Sequence, residues 1–156
     1  MNYLGTVIHS ITSKVDTASM GQERSKRMKI LVAYDGSEIA QRALTVAQRR
    51  AKALSAELHI FTATADGKID CLKNTRLDSG LKDSQMLCQA SNIKCIIEIS
   101  EQTMSVAEAL VRYARENDID EIVIGLRRRS QLGKLLFGST SRQVILDAPC
   151  PVLSVK

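Results

Sequence analysis

Short continuous apolar runs alternate along this chain with longer stretches in which apolar residues recur every three or four positions. The first run is Ile30-Leu31-Val32-Ala33, stopped by Tyr34-Asp35-Gly36-Ser37. A run of that kind, ended by turn residues, predicts a strand buried on both faces. Ser37 then serves as an N-cap, followed by Ile39, Ala43, Leu44, Ala47, Ala51 and Leu54 at helical spacing. Arg42, Gln48, Arg49 and Lys52 fall on the wet face of that helix.

The alternation then repeats. Leu58 to Ala63 reads as a second strand that runs out at Asp66-Gly67, and the chain is polar and irregular from there to Asn74. Leu77, Leu81 and Cys88 predict a helix through Ala90, weakened by Gly80 and Ser84. Ile93 to Ile99 reads as the third strand, Met104 to Glu116 as a helix, and Ile119 to Gly125 as the fourth strand. A short helix is expected from Ser139 to Leu146, stopped by Ala148-Pro149-Cys150-Pro151. Val152 to Val155 is the last strand, and the two prolines before it suit an edge.

Strands and helices in alternation imply an α/β fold: one open parallel sheet with right-handed crossovers and helices on both faces. In such sheets a ligand sits beyond the carboxyl ends of the strands, where strand order reverses. Residues 1–27 stand apart as a leader, read as disordered, as a docking arm or as the product of an upstream start; residues 28–156 form one domain. The leader has neither the positive n-region nor the apolar h-region of a secretory signal. No apolar run approaches the ~18 residues of a membrane span.

Charge sharpens this picture. The formal net charge is +5, yet Arg127, Arg128, Arg129, Lys134 and Arg142 cluster between Leu126 and Arg142 with no Asp or Glu among them. Cations focused on one loop point to a compact anionic ligand rather than a nucleic acid. Aromatics make up 3% with no Trp, so the core is aliphatic and base-stacking platforms are not expected. The four cysteines show no C-x-x-C pair, and His9 and His59 are the only histidines. No zinc spacing results, and reduced thiols in a cytosolic protein are expected. His59, in mid-strand, reads as a packed residue rather than a catalyst.

Gly138-Ser139-Thr140-Ser141 opens a helix directly after the basic loop. A helix N-terminus offers unpaired N–H donors and partial positive charge, both suited to phosphate. With Ser139 as N-cap, position N3 is Arg142, so the Glu or Gln of a capping box is missing and an external anion can take its place. A plain serine cap is the alternative. Asp35 has two readings as well: acceptor for ribose hydroxyls or a base amine, or part of a turn that caps the first helix. Neither G-x-x-x-x-G-K-[ST] nor G-x-G-x-x-G occurs, and Gly133-Lys134 is followed by Leu135.

Met28 to Val155 resembles the universal stress protein family. The likeness rests on K-I-L-V-A-Y-D-G-S (Lys29 to Ser37), D-E-I-V-I-G (Asp120 to Gly125), G-K-L-L-F-G-S-T-S (Gly133 to Ser141) and A-P-C-P-V-L (Ala148 to Leu153). The resemblance implies a Rossmann-like five-stranded sheet of order 3-2-1-4-5 and a homodimer through the C-terminal edge strand. The family's ATP-binding branch carries G-x2-G-x9-G-[ST]; here the outer positions are Gly125 and Gly138-Ser139, and Arg128 stands where the middle glycine is expected. By the same carry-over Ala33 and Ala63 would wall the adenine pocket and Asp35 would contact the adenosine. Ile124 and Gly125 would lie by ribose and base, Gly138, Ser139 and Thr140 would hold phosphates, and Arg128 could add a charge-assisted contact. The expected function is a cytoplasmic stress-response protein binding ATP or AMP, with any Mg2+ carried by the phosphates. The alternatives are a slow ATPase or phosphoryl-transfer enzyme and a nucleotide-free dimeric interaction module.

Overall fold

A computed structural model describes residues 27–64, 75–101, 104–126 and 138–156. The leader up to residue 26, the polar stretch at 65–74 and the basic loop at 127–137, with Arg128, lie outside the described residues. The elements are β1 (Lys29–Ala33), α1 (Glu38–Leu54), β2 (Glu57–Thr64), α2 (Thr75–Ala90), β3 (Cys95–Glu101), α3 (Val106–Glu116), β4 (Glu121–Gly125), α4 (Ser139–Asp147) and β5 (Val152–Val155). They build one five-stranded sheet in the order β3-β2-β1-β4-β5. Every pairing is parallel: Leu31 lies between His59 and Ile122, and Val123 pairs with Leu153.

The apolar run that begins the domain becomes the centre of this sheet. Ile30, Leu31 and Val32 are wholly buried, and alternation sends them to opposite faces. Ile30 and Val32 join Leu58, Ile60 and Val123 under Ala43, Leu44 and Ala47 of α1 and Leu77 and Leu81 of α2. Leu31 joins Phe61, Ile122 and Ile124 under Leu110 and Ala114 of α3 and Val144 of α4. Two aliphatic cores thus sandwich the sheet. Each fully buried Leu or Ile contributes about 2 kcal/mol of transfer free energy.

Local chemistry sets the helix starts. Ser37 caps α1 by accepting from the Ala40 amide at 3.3 Å. Ser105 and Glu108 form a reciprocal capping box at α3, so that helix begins at Val106 and not at Met104. The third strand starts two residues later than the apolar pattern predicts. Asn92 takes a left-handed φ of 53° and the Ile93 amide bonds back to Cys88, which spends residues 91–94 on closing α2. Gln48 is not a purely wet residue either, because its Nε2 is buried.

Gly80, a weak point in the predicted α2, is required by packing. A Cβ there would lie 1.9 Å from the Tyr34 hydroxyl. Tyr34, only 4% exposed, donates to Gln41 Oε1 at 2.9 Å and occupies the space that Gly80 leaves. Burial, followed by the nearby Asp35 and Asp83 carboxylates, raises its pKa, so the phenol stays protonated.

Candidate functional site

β1 and β4 are neighbours, and their connections leave the sheet in opposite directions, so a crevice opens where both strands end. A cavity of about 250 Å³ fills it. Its floor and walls are Ala33 at the end of β1, Phe61 and Ala63 from β2, and Ile124 and Gly125 at the end of β4. Asp35, Ser37 and Ile39 after β1, Val106 of α3, and Gly138 through Ser141 at the start of α4 complete the lining. Of the residues singled out in the sequence, Ala33, Asp35, Ala63, Ile124, Gly125, Gly138, Ser139 and Thr140 all line this cavity. Arg128 falls outside the described residues.

The α4 start differs from its predicted form. Gly138, not Ser139, is the N-cap, with φ −60° and ψ 151°, so N3 is Ser141 rather than Arg142. The cap has no side-chain hydrogen bond, and the first turn holds no acidic residue. Ser141 is buried, and its hydroxyl donates to the Gly138 carbonyl at 3.1 Å. Ser139 and Thr140 are exposed, and their amides belong to the turn whose N–H groups have no intrahelical acceptor. This end of the cavity therefore carries donors and partial positive charge.

Asp35 lines the same cavity. One carboxylate oxygen accepts from the Ser37 amide at 3.0 Å, forming the turn that delivers Ser37 to its capping position. Gly36, at φ 77°, supplies the left-handed residue of that turn. Both readings of Asp35 are thus compatible: the side chain shapes the turn and still borders the cavity. At Gly125 a Cβ would meet the Ile39 carbonyl oxygen at 3.0 Å, so glycine is what lets α1 approach the end of β4.

The cavity is lined by apolar side chains (Ala33, Ile39, Phe61, Ala63, Val106 and Ile124) together with polar ones (Asp35, Ser37, Ser139 and Thr140). Among its described lining residues, Asp35 and Tyr34 are the titratable ones. No group of three or more His, Cys, Asp or Glu placed to hold a metal occurs among the described residues. Tyr34, Ile39, Ala40, Phe61 and Val106 also line the cavity and were not among the residues expected there. Phe61 was legible in principle, since it shares the strand face of Ala63.

A parallel sheet wound in both directions from β1, with a cavity at its switch point and an uncapped helix start at the rim, defines the class of Rossmann-like small-ligand binding domains. Residues 26–156 match the model of the universal stress protein family, and the chain belongs to that family. A universal stress protein of Thermus aquaticus is 33% identical over 136 residues, spanning 81% of this chain and 97% of the relative. The universal stress protein of Archaeoglobus fulgidus superposes with a TM-score of 0.68 at 29% identity, covering 83% of this chain and 98% of that one. A second structure from that organism, in complex with dAMP, gives 0.64 at 25% identity over 83% and 98% of the two chains. Among the described residues, no helix is long and apolar enough to cross a membrane.

Proposed function

We propose that this chain is a cytoplasmic stress-response protein that binds an adenine nucleotide, ATP or AMP, at the carboxyl ends of β1 and β4. The observation that carries the reading is the pairing of an uncapped α4 N-terminus with an apolar slot and a carboxylate in one cavity. The base lies between Ala33, Ala63 and Ile124, the ribose faces Asp35 and Gly125, and the phosphates meet Gly138, Ser139 and Thr140. Arg128 is assigned to the phosphates by its place in the family's glycine pattern alone, and any Mg2+ arrives with them. Phosphoryl transfer would need a base to activate the acceptor as well as charge stabilisation. Asp35 is the one carboxylate at the described cavity and already accepts from a backbone amide, which favours retention over turnover.

The 28–156 domain acts as a homodimer through β5. That strand ends the sheet, and α4, which precedes it in the chain, leaves Leu146 70% and Ile145 41% exposed. A sheet edge offers backbone groups for pairing, and exposed apolar side chains favour association. The decisive measurement is mass spectrometry of small molecules released when freshly purified protein is denatured. Recovery of ATP or AMP near one per chain is expected. Empty protein that also shows no thermal shift with either nucleotide would sink the reading.

A further inference from the structure

We propose that Cys88 and Cys95 form a two-electron redox site, a dithiol that hydrogen peroxide converts into an intramolecular disulfide. The site is independent of the nucleotide reading, since neither residue lines the cavity. No C-x-x-C spacing announces it in the chain, because six residues separate the two cysteines.

Cys88 lies in the last turn of α2, and Cys95 is the first residue of β3. The connection between them doubles back sharply. Asn92 takes a left-handed φ of 53°, and the Ile93 amide donates to the Cys88 carbonyl at 2.8 Å. Alternation puts Cys95 and Ile97 on one face of the strand, and both pack against the core that holds Cys88. The two side chains meet there, and their thiols are hydrogen-bonded to each other. From such a contact a sulfur–sulfur bond of about 2.05 Å can close. A third group faces the pair from α1. Gln48 Nε2 is buried without an oxygen or nitrogen acceptor, and the group beside it is the Cys88 sulfur. A neutral thiol accepts weakly, so this donor is well satisfied only when the sulfur carries charge.

The hydrogen bond from Cys95 lowers the Cys88 pKa, burial opposes it, and Gln48 adds to the lowering. Cys95 is raised in turn by holding that bond and by burial. One proton is thus shared between two sulfurs, and the first to leave belongs to the pair. Exposure divides the roles: Cys88 is 1% exposed, whereas Cys95 is partly exposed and is the sulfur that peroxide reaches. Proton transfer along the S–H···S bond supplies the Cys95 thiolate, which is the nucleophile. It attacks one peroxide oxygen, the O–O bond breaks, and a sulfenic acid and hydroxide result. The Cys88 sulfur then attacks the Cys95 sulfur, the S–O bond breaks, and water leaves with the Cys88 proton. The hydroxide takes up the proton lost at the first ionisation. Two thiols and one peroxide therefore yield one disulfide and two waters, two electrons passing from sulfur to oxygen. Thiol exchange with dithiothreitol reverses the change.

Trypsin cuts after Lys82, Lys94 and Arg112, so the two cysteines leave on separate peptides, 83–94 and 95–112. The full chain is treated with an equivalent of hydrogen peroxide, its free thiols are blocked with iodoacetamide, and it is digested without reduction. Mass spectrometry should find these two peptides joined, two hydrogens lighter than their sum, and separate again after dithiothreitol. Cys150, whose pKa is raised by burial and by Asp120 and Glu121, should be alkylated throughout. In Cys95→Ser, Cys88 should stay reduced at the same dose. The proposal is overturned if Cys88 and Cys95 are both alkylated after peroxide, or if either is linked to Cys71, to Cys150 or to a second chain. Oxidation of Cys88 in Cys95→Ser at the wild-type rate overturns it too. The wild-type peptide map decides the matter even if that variant fails to fold.

Discussion

Gly138→Asp should stabilise the empty protein and abolish nucleotide retention. Gly138 sits in extended backbone at φ −60° and ψ 151°, which any residue adopts at an N-cap. A Cβ there meets, among the described residues, only Ser141 Oγ at 3.7 Å, so the substitution introduces no clash. The new carboxylate can accept from the amides of the first α4 turn, which now has no side-chain cap and no acidic residue. The cap itself is worth a few tenths of a kcal/mol over glycine and the charge about 0.3–1 kcal/mol, together about 1 kcal/mol. For a domain of this size that raises Tm by about 2–4 °C. The same carboxylate occupies the place proposed for phosphate. Two unit charges 4 Å apart repel by about 1 kcal/mol in water and about 4 kcal/mol at an effective dielectric of 20. Affinity should therefore drop by about ten- to a thousandfold. Calorimetric melting of nucleotide-free protein and mass spectrometry of retained nucleotide read the two effects separately. Wild-type retention of nucleotide in a well-folded variant would refute the assignment of phosphate to α4. A lowered Tm would refute the account of the helix start.

The remaining predictions concern packing and protonation. Gly80→Ala should destabilise by up to about 2 kcal/mol, overpacking of about 1–3 kcal/mol being offset in part by the helix-propensity gain of about 1 kcal/mol. Urea unfolding should show a lower midpoint at unchanged slope, and a stabilised variant would contradict the Tyr34–Gly80 contact. Gly125→Ala presses on the backbone of Ile39 and should weaken nucleotide binding more than it lowers stability; titration calorimetry beside a melt separates the two. The stability of the wild type should also fall in mild acid. His59 has a lower pKa folded than unfolded, so below about pH 6.5 the unfolded chain binds more protons and the native state loses ground as pH falls through the folded value. Glu57 repeats this lower down: burial raises its pKa, but Lys94 and His59 outweigh burial and leave it lowered, so its contribution disappears only below the ordinary carboxylate range. Urea midpoints of wild type and His59→Gln between pH 8 and pH 5 should differ in slope, and parallel curves would remove His59 from the account.

Which elements form, and in what order, follows from short-range pattern in the chain. Ile30 to Val32 can only be a strand with two covered faces, and Ser37 follows at the spacing of a cap. Punctuation by glycine, proline and serine marked most ends to within two residues, and even the Ser105–Glu108 capping box was readable in S-V-A-E, though the apolar pattern alone placed that start early. These features are legible because each is decided by residues within one turn or one strand of each other. The remaining features involve partners far apart in the chain. Gly80 looks like a flaw in a helix until Tyr34, 46 positions earlier, is seen to need its missing side chain. His59 is an unremarkable strand residue until Tyr113, 54 positions away, closes on its ring. At α4 the cap is Gly138 rather than Ser139, with Ser141 buried and its hydroxyl bonded to the Gly138 carbonyl. Periodicity and propensity act over a few residues, whereas close packing and buried hydrogen bonds are settled only once the sheet has brought distant segments into contact.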